Sequence, residues 1–279
     1  HTDELLAVAT LLLKYPDAEI VRSRDPKVAE SADVVVDVGH IYDPEKLRFD
    51  HHQPSGSGEH ANGAPYASFG LVWKELGVEL SGGSDEAKII ESKIVIPVDA
   101  GDNGLAVETE IFPGIRNYSI WDYFESFSNG AVSEEDFNNG FMEALPHAIA
   151  LLKREIRAAQ RSVESWREVE RIYKESEDKK IIFLPEHLHW KRVLIPTEAI
   201  FVIRPRMSIG GWTVRGVPDA VHSFNVKKPF PTSWAGLDDG TLADISGVPG
   251  ALFCHRNRWI AGAETKEGAI KLAELALNS

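Results

Sequence analysis

One short segment constrains the fold of this chain more than any other, the uninterrupted apolar run ADVVVD at Ala32–Asp37. Strands of a parallel sheet have such runs, because helices bury them on both faces. Segments with apolar residues at helical spacing lie on either side of the run, at Asp3–Lys14 and Tyr66–Leu76. This alternation predicts an α/β fold with a parallel sheet in the front part of the chain.

The 279 residues are expected to form two domains joined by a connector. The front α/β domain is assigned to residues 1–140. Residues 141–179 are predicted to be a helical connector, because apolar positions recur there every three to four residues. Short β-like runs follow from residue 180, and a helix at Lys266–Leu277 closes the chain. These runs predict a smaller α+β domain at residues 180–279.

Acidic residues outnumber basic ones, and the excess lies in the front of the chain. The net charge is −13, from 30 Lys and Arg against 43 Asp and Glu, whereas residues 180–279 hold 12 basic and 9 acidic side chains. A chain this acidic is not expected to wrap long nucleic acid or to bind an anionic membrane. Contact with phosphate is expected in the slightly basic back part.

Composition also limits where the protein works. The single Cys254 excludes an internal disulfide and an all-cysteine metal site. No apolar run approaches the roughly 20 residues that span a bilayer. We therefore expect a cytoplasmic protein without membrane contact.

Four clusters of carboxylate and imidazole side chains lie in the front half of the chain. They are HTDE at 1–4, DVGH at 37–40, DHH at 50–52 and DAGDNG at 99–104. Such ligands suit Mn²⁺, Mg²⁺ or Zn²⁺, and more than four of them indicate two ions that share a carboxylate. A lone Asp is commonly a cap or a turn residue, but adjacent Asp-His-His has no routine structural use. The clusters therefore predict a metal site.

In this order, the clusters resemble the DHH phosphoesterase superfamily, which includes RecJ-type exonucleases, nanoRNA phosphatases and family II inorganic pyrophosphatases. Within it, the chain is most similar to the melanocyte-proliferating-gene (Myg) branch. The resemblance covers nearly the whole chain. It is carried by HTDE (1–4), EIVRSRDP (19–26), VVVDVG (34–39), YDPEKLRFDHHQ (42–53), VDAGDNG (98–104), SFNVKKPFPTSWAGL (223–237), SGVPGALFCH (246–255) and AGAETKEGA (261–269).

The resemblance implies a two-metal centre, with manganese as the expected ion and magnesium or zinc as alternatives. His1 and Asp3 fall on ligand positions of the first motif, Asp37 on the carboxylate that bridges the metals, and His51 on a metal-binding histidine. The family pattern has another His shortly before His1, so we expect the natural chain to begin upstream, where a targeting peptide could also lie.

The same resemblance assigns the remaining front residues. Asp50 would orient a histidine ring, and His52 would face the substrate phosphate, so that Asp37, His51 and His52 form the expected catalytic group. The fourth-motif metal ligand is Asp99 or Asp102, and spacing alone leaves both open.

The back domain resembles a substrate-binding part. Its candidate contacts to phosphate are Arg215, Lys227, Lys228, His255, Arg256, Gly262 and Thr265. An exposed lysine pair is commonplace, so Lys227 and Lys228 have an ordinary alternative as solvated side chains.

Together, these features predict a metal-dependent phosphoesterase that hydrolyses phosphodiester bonds, above all a 3′-to-5′ exonuclease acting on RNA or short oligonucleotides. Two alternatives stay open: a small-molecule phosphatase or pyrophosphatase, and a metal-binding protein without catalysis. A homodimer is also considered, because an aromatic patch lies around Trp121.

Overall fold

A single long helix, α7 (Glu134–Glu175), contains the boundary between the two units into which the chain divides. The computed structural model describes residues 1–109, 112–207, 210–221 and 223–279. The first unit is His1–Arg161 and the second is Ser162–Ser279. Both combine helices and strands, so the predicted α/β class is confirmed.

The first unit is mainly helical. Its helices besides α7 are α1 (Thr2–Lys14), α2 (Pro26–Ser31), α3 (Ser68–Ser81), α4 (Ser84–Ile90), α5 (Ile96–Asp102) and α6 (Ile120–Glu125). Short 3₁₀ turns lie at Pro44–Lys46 and Ser126–Ser128. The apolar faces of α1 and α3 meet in one core, where Leu6 and Phe69 are fully buried. Glu4 closes a capping box with His1 at the start of α1, which satisfies main-chain groups that a helix end leaves unpaired.

The sheet of the first unit is smaller than the apolar run predicts. Its strands are β1 (Val35–Val36), β2 (Tyr42–Asp43) and β3 (Arg48–Phe49). β3 lies in the middle, parallel to β1 and antiparallel to β2. β1 ends early because Asp37, directly after it, adopts a left-handed conformation with φ 60°. Among the described strands of this unit, β1 and β3 are therefore the one parallel pair.

A π-helix interrupts the helical segment that ends in the fourth cluster. It spans Glu91–Val95, between α4 and α5. Pro97, near the start of α5, has no N–H to donate to the carbonyl of Lys93 four residues earlier. Local widening of the helix accommodates such a lost bond.

The second unit is built on one five-stranded sheet. Its strands are β4 (Ile181–Phe183), β5 (Phe201–Pro205), β6 (Trp212–Gly216), β7 (Ala251–Cys254) and β8 (Ile260–Ala263). Their order is β4-β5-β6-β8-β7, with only the β4–β5 pair parallel among the described strands. The described α-helices of this unit besides the end of α7 are α8 (Lys191–Leu194), α9 (Asp239–Ser246) and α10 (Lys266–Leu277), of which α10 follows the last strand. The predicted closing helix is confirmed in full.

The two faces of this sheet have different neighbours. Phe201 and Ile203 of β5 pack in a core with Leu272 of α10. Val202, between them in β5, faces the other way and packs with Val169 of α7 in a second core. Side chains of a strand alternate between the faces. The residues that follow Val202 at every second position therefore continue this second face.

The aromatic patch around Trp121 is partly buried in the first unit. Phe124 is buried in its core, and the Trp121 ring occupies the space that a Cβ at Gly101 would need. Tyr118 and Tyr123 remain exposed. No helix among the described residues has the length and apolar character that crossing a bilayer requires.

Candidate metal centre

The loop after β1 carries unusual backbone geometry. Asp37 and His40 have φ values of 60° and 56°, and Gly39 between them has 94°. Non-glycine residues rarely adopt this region, and strain of about 1–3 kcal/mol each is retained chiefly at functional sites. Asp50 holds the loop, because its Oδ2 accepts a 2.6 Å hydrogen bond from the His40 N–H. The geometry turns the Asp37 carboxylate toward the third cluster.

His51 lies at the junction of the clusters. Its Nε2 is 3.4 Å from Asp37 Oδ1 and 3.3 Å from Asp102 Oδ2, and it makes no hydrogen bond within the described part of the chain. Asp3 is fully buried; its Oδ1 accepts from the Phe69 N–H at 2.8 Å, while Oδ2 has no hydrogen-bond partner among the described residues. Two buried polar atoms thus lie in the same cluster without a hydrogen-bond partner among the described residues.

Two triplets of candidate ligand atoms share His51. Asp3, His51 and Asp102 form one, and Asp37, His51 and His52 form the other; within each, the ligand atoms lie within 4.8 Å of one another. Carboxylate oxygens and imidazole nitrogens are ligands for manganese, magnesium and zinc. The donor set therefore fits the cations that the sequence predicts.

The electrostatics of the cluster favour an added positive charge. Burial, followed by the neighbouring Asp102 and Asp37 carboxylates, raises the pKa of Asp3 well above its usual range. Burial alone would lower the pKa of His51, but Asp37 and Asp102 outweigh burial and raise it. Carboxylates gathered at one point repel one another unless a cation or protons neutralise them.

Asp50 and His52 form a supporting pair. The Asp50 side chain is 1% exposed and its Oδ1 lies 2.7 Å from His52 Nδ1. Burial would raise the pKa of Asp50, but the N–H groups of His52 and His40 outweigh burial and lower it. Asp50 is therefore an anion that orients the His52 ring, which is 49% exposed. The resemblance predicts this arrangement.

The structure separates the two candidates for the fourth-motif ligand. Asp102 Oδ2 lies 3.3 Å from His51 Nε2, whereas Asp99 is fully buried and contacts other residues. Asp99 Oδ2 lies 2.8 Å from His60 Nε2, and its Oδ1 accepts from the Gly70 N–H at 3.0 Å. These partners occupy both carboxylate oxygens of Asp99, so of the two candidates it is Asp102 whose carboxylate lies beside His51.

Two polar residues near the cluster are not predicted from the sequence. His60 bridges Asp99 and Glu91, and the Ser68 hydroxyl donates to Asp37 Oδ1 at 3.1 Å. His60 lies in a turn-rich segment, and Ser68 begins a helix, so neither has a local signal. His1 is on the rim: its ring is 83% exposed and its Nδ1 is 3.7 Å from Asp102 Oδ1.

Two of the back-domain candidates have their ammonium groups engaged by main-chain carbonyls. Lys227 Nζ donates to the carbonyls of Leu194, Thr197 and Ala199. Lys228 Nζ donates to the carbonyls of Leu277 and Ser279 at the end of the chain. These contacts fasten segments of the second unit to one another.

Two more candidates have structural surroundings. Thr265 caps α10, its hydroxyl accepting from the Gly268 N–H at 3.0 Å. Gly262 leaves room for the ring of Phe253, which a Cβ would meet. Their positions follow from packing and capping.

Of the remaining three candidates, His255 and Arg215 lie near Trp259. The His255 ring is 5.0 Å from the Trp259 ring, centroid to centroid, and its Nδ1 accepts from the Asn257 N–H. Arg256 is exposed. The Arg215 guanidinium lies 5.4 Å from the centroid of the Trp259 ring.

Comparison with known proteins gives one family. Residues 1–277 match the MYG1 exonuclease family model, described as an uncharacterised protein family (UPF0160). Human MYG1 exonuclease is 32% identical over 316 aligned residues, which cover 99% of this chain and 83% of the human one. An MYG1 protein of Schizosaccharomyces pombe is 30% identical, with 100% of this chain and 94% of that one covered.

Among solved structures, a pGpG-specific phosphodiesterase from Vibrio cholerae aligns over 100% of this chain and 96% of its own, at 13% identity. The TM-score of 0.30 is too low for the alignment to support any argument about fold or function.

Proposed function

The chain belongs to the MYG1 exonuclease family (UPF0160), and from that membership we propose that it is a metal-dependent phosphodiesterase that degrades short RNA or other oligonucleotides in the 3′-to-5′ direction. The relatives that bear the name exonuclease support the reaction class. The net charge of −13 favours short substrates over long polymers.

One observation carries the proposal: Nε2 of His51 lies between the Asp37 and Asp102 carboxylates, beside Oδ2 of Asp3, and neither atom makes a hydrogen bond among the described residues. An unsatisfied buried polar atom costs about 1–3 kcal/mol. Two of them in one cluster are best explained by a shared ligand. The chemistry of the donors makes that ligand a divalent cation.

We assign the metal-holding role to the residues of the cluster: Asp37 shared between two ions, with Asp3, His51, Asp102 and, at the rim, His1. Divalent cations bound there would supply Lewis-acid polarisation of a phosphoryl oxygen and acidify an attacking water. Ser68 would fix the Asp37 carboxylate through its hydroxyl.

His52 is assigned to the substrate. Asp50 engages its Nδ1, which fixes the orientation of the ring. The Nε2–H of an imidazolium can donate to a phosphate oxygen and stabilise the negative charge that develops there. Half exposure of the ring leaves this nitrogen within reach of a substrate.

The activity test uses a pentaribonucleotide labelled at either end, with Mn²⁺. Digestion from the 3′ end leaves a ladder of 5′-labelled intermediates and releases a 3′-labelled mononucleotide first. Asp37→Asn should lower kcat by roughly 1000-fold, because it removes the shared carboxylate of the metal site. Asp33→Asn is the matched control, since Asp33 is exposed near the same strand and should keep full activity.

Other results would reject the proposal. Faster turnover of pyrophosphate than of the oligonucleotide would favour the small-molecule phosphatase. Tight Mn²⁺ binding without turnover of any substrate would favour a metal-binding protein. Full activity of Asp37→Asn would remove the cluster from the reaction.

A further inference from the structure

The second unit contains an open cavity of about 220 Å³ with basic walls. Its polar lining consists of His187, Arg204, Arg206, Thr213 and Arg215. Only Arg215 is among the residues that the sequence singles out. No carboxylate lines the cavity among the residues that the structure describes.

The pairing of β5 with β6 builds this cavity. Arg204 lies opposite Thr213, and Val202 lies opposite Arg215, so Arg204 and Arg215 stand on the face that Val202 shares with the α7 core. Beyond Val202 the hydrophobic core gives way to guanidinium groups. The sheet therefore presents a basic surface next to its apolar one.

The arginines of the cavity are buried or half-buried, and they have no opposite charge among the described residues. Arg204 is 9% exposed, and Nε of Arg215 is buried without a hydrogen-bond partner among the described residues. Within the described ranges, neither of them, nor Arg206, forms an ion pair. Burial and then Arg215 lower the pKa of Arg204 to about 10, and partial burial and then Arg204 lower that of His187. Unpaired buried charge is costly and is seldom kept without a use.

Aromatic rings flank two of these arginines. The Arg206 guanidinium lies 5.4 Å from the Phe253 ring centroid, and Arg215 lies at the same distance from Trp259. Proteins that bind single-stranded nucleic acid combine aromatic rings with cationic groups, because the bases stack on the rings while the phosphates bind the cations.

We propose that this arginine cavity binds phosphate groups of a short single-stranded oligonucleotide. The planar guanidinium matches two phosphate oxygens at once. A phosphate would provide acceptors for the buried Arg204 and for the half-buried Arg215, whose Nε has no hydrogen-bond partner among the described residues. Three cationic groups and two rings exceed what one free phosphate would need. The identity of the ligand as an oligonucleotide rests on the proposed function, whereas the anion site does not.

The test measures binding of a 5′-fluorescein pentaribonucleotide to the full chain by anisotropy, in EDTA so that no turnover occurs. Arg206→Gln and Arg215→Gln should each weaken the Kd at least tenfold and reduce the salt slope of binding by about 1. Lys271→Met removes one positive charge from an exposed site of the same unit and should change the Kd less than twofold.

Arg204→Met separates binding from folding. If Arg204 is kept for the ligand, this variant should bind at least tenfold more weakly while its Tm stays equal or rises, because an unpaired buried charge has been removed. A lower Tm together with unchanged pentaribonucleotide affinity would make Arg204 a structural residue and overturn the proposal.

Two other results would overturn it. One is an affinity of Arg206→Gln and Arg215→Gln equal to that of Lys271→Met. The other is pyrophosphate binding more tightly than the pentaribonucleotide, which would exclude an oligonucleotide as the ligand. An arginine-dependent affinity in a protein that shows no Mn²⁺-dependent hydrolysis would support the site and reject only the proposed reaction.

Discussion

Asp99 and Asp102 lie three residues apart on α5 and have opposite surroundings. Asp99 is enclosed by His60 and the Gly70 N–H, and Asp102 points to His51. Neighbouring carboxylates on one helix face can therefore serve different purposes, one fixing the helix and the other facing a ligand.

Substitution of each Asp separates these purposes. Asp99→Asn should lower the free energy of unfolding by about 3 kcal/mol, because it breaks a buried charge pair. Asp102→Asn should leave the metal-free stability within about 0.5 kcal/mol and weaken Mn²⁺ binding. Urea unfolding and calorimetric Mn²⁺ titration measure the two effects. If Asp99→Asn is the variant that loses metal and keeps its stability, the assignment is reversed.

His60 should make stability depend on pH. Its burial would lower its pKa, but Asp99 and Glu91 outweigh burial and raise it above the ordinary 6.5. The folded protein then holds this proton more tightly than the unfolded chain, so the stabilisation is complete below about pH 6.5 and is lost as pH rises through the folded pKa. Urea unfolding between pH 6 and 9 should show a steeper loss for the wild type than for His60→Gln. Equal slopes would contradict a raised pKa at His60.

At this scale the sequence predicts the residues whose chemistry is unusual and misses those whose role depends on distant partners. The Asp-His-His run marks His51, which the structure brings to Asp37 and Asp102. The contacts of Lys227 could not be predicted, because the carbonyls that it meets lie about thirty residues away. Such contacts have no local pattern.

Among the elements, α3 and α5 approach each other closely at Gly70. A Cβ there would lie 2.8 Å from Tyr66 Cδ1 and would collide with the Asp99 carboxylate. The glycine is thus required by the packing that holds Asp99.

Gly70→Ala should therefore lower the free energy of unfolding by about 2 kcal/mol, although Ala is intrinsically the better helix former. Gly240→Ala is the control: its Cβ would meet nothing within 4 Å, and it should be neutral or stabilise the protein by up to about 1 kcal/mol. Urea unfolding compares them. A stabilising effect of Gly70→Ala would show that the Tyr66 and Asp99 side chains can move away from the added methyl group.

Helices were predicted better than strands in the first unit. Helical spacing persists over many residues, as in α7, so the signal accumulates. β1 to β3 have two residues each, too few for a pattern to set their length or direction. In the second unit the strands have three to five residues, which is long enough for β-like runs to be predicted after residue 180.

For the whole molecule, the metal-ligand candidates all lie in the first unit, His1–Arg161. Mn²⁺ should therefore slow hydrogen exchange there, above all in α1 and α5, which carry Asp3 and Asp102. The free energy of unfolding of this unit should rise by about 2.7 kcal/mol at a free Mn²⁺ concentration of 100 Kd. Exchange in α10 of the second unit is the internal control and should be unaffected. Equal protection of α10 would place the ion elsewhere.

The π-helix at Glu91–Val95 has a consequence for insertions and deletions in this protein. A helix turns by about 100° for each residue. A deletion that made the segment regular would rotate everything after it, and Asp102 would point away from His51 although every side chain of the cluster was still encoded. The spacing between the second and fourth clusters is therefore fixed by rotational phase as well as by length, and single-residue deletions there should be tolerated less than most substitutions.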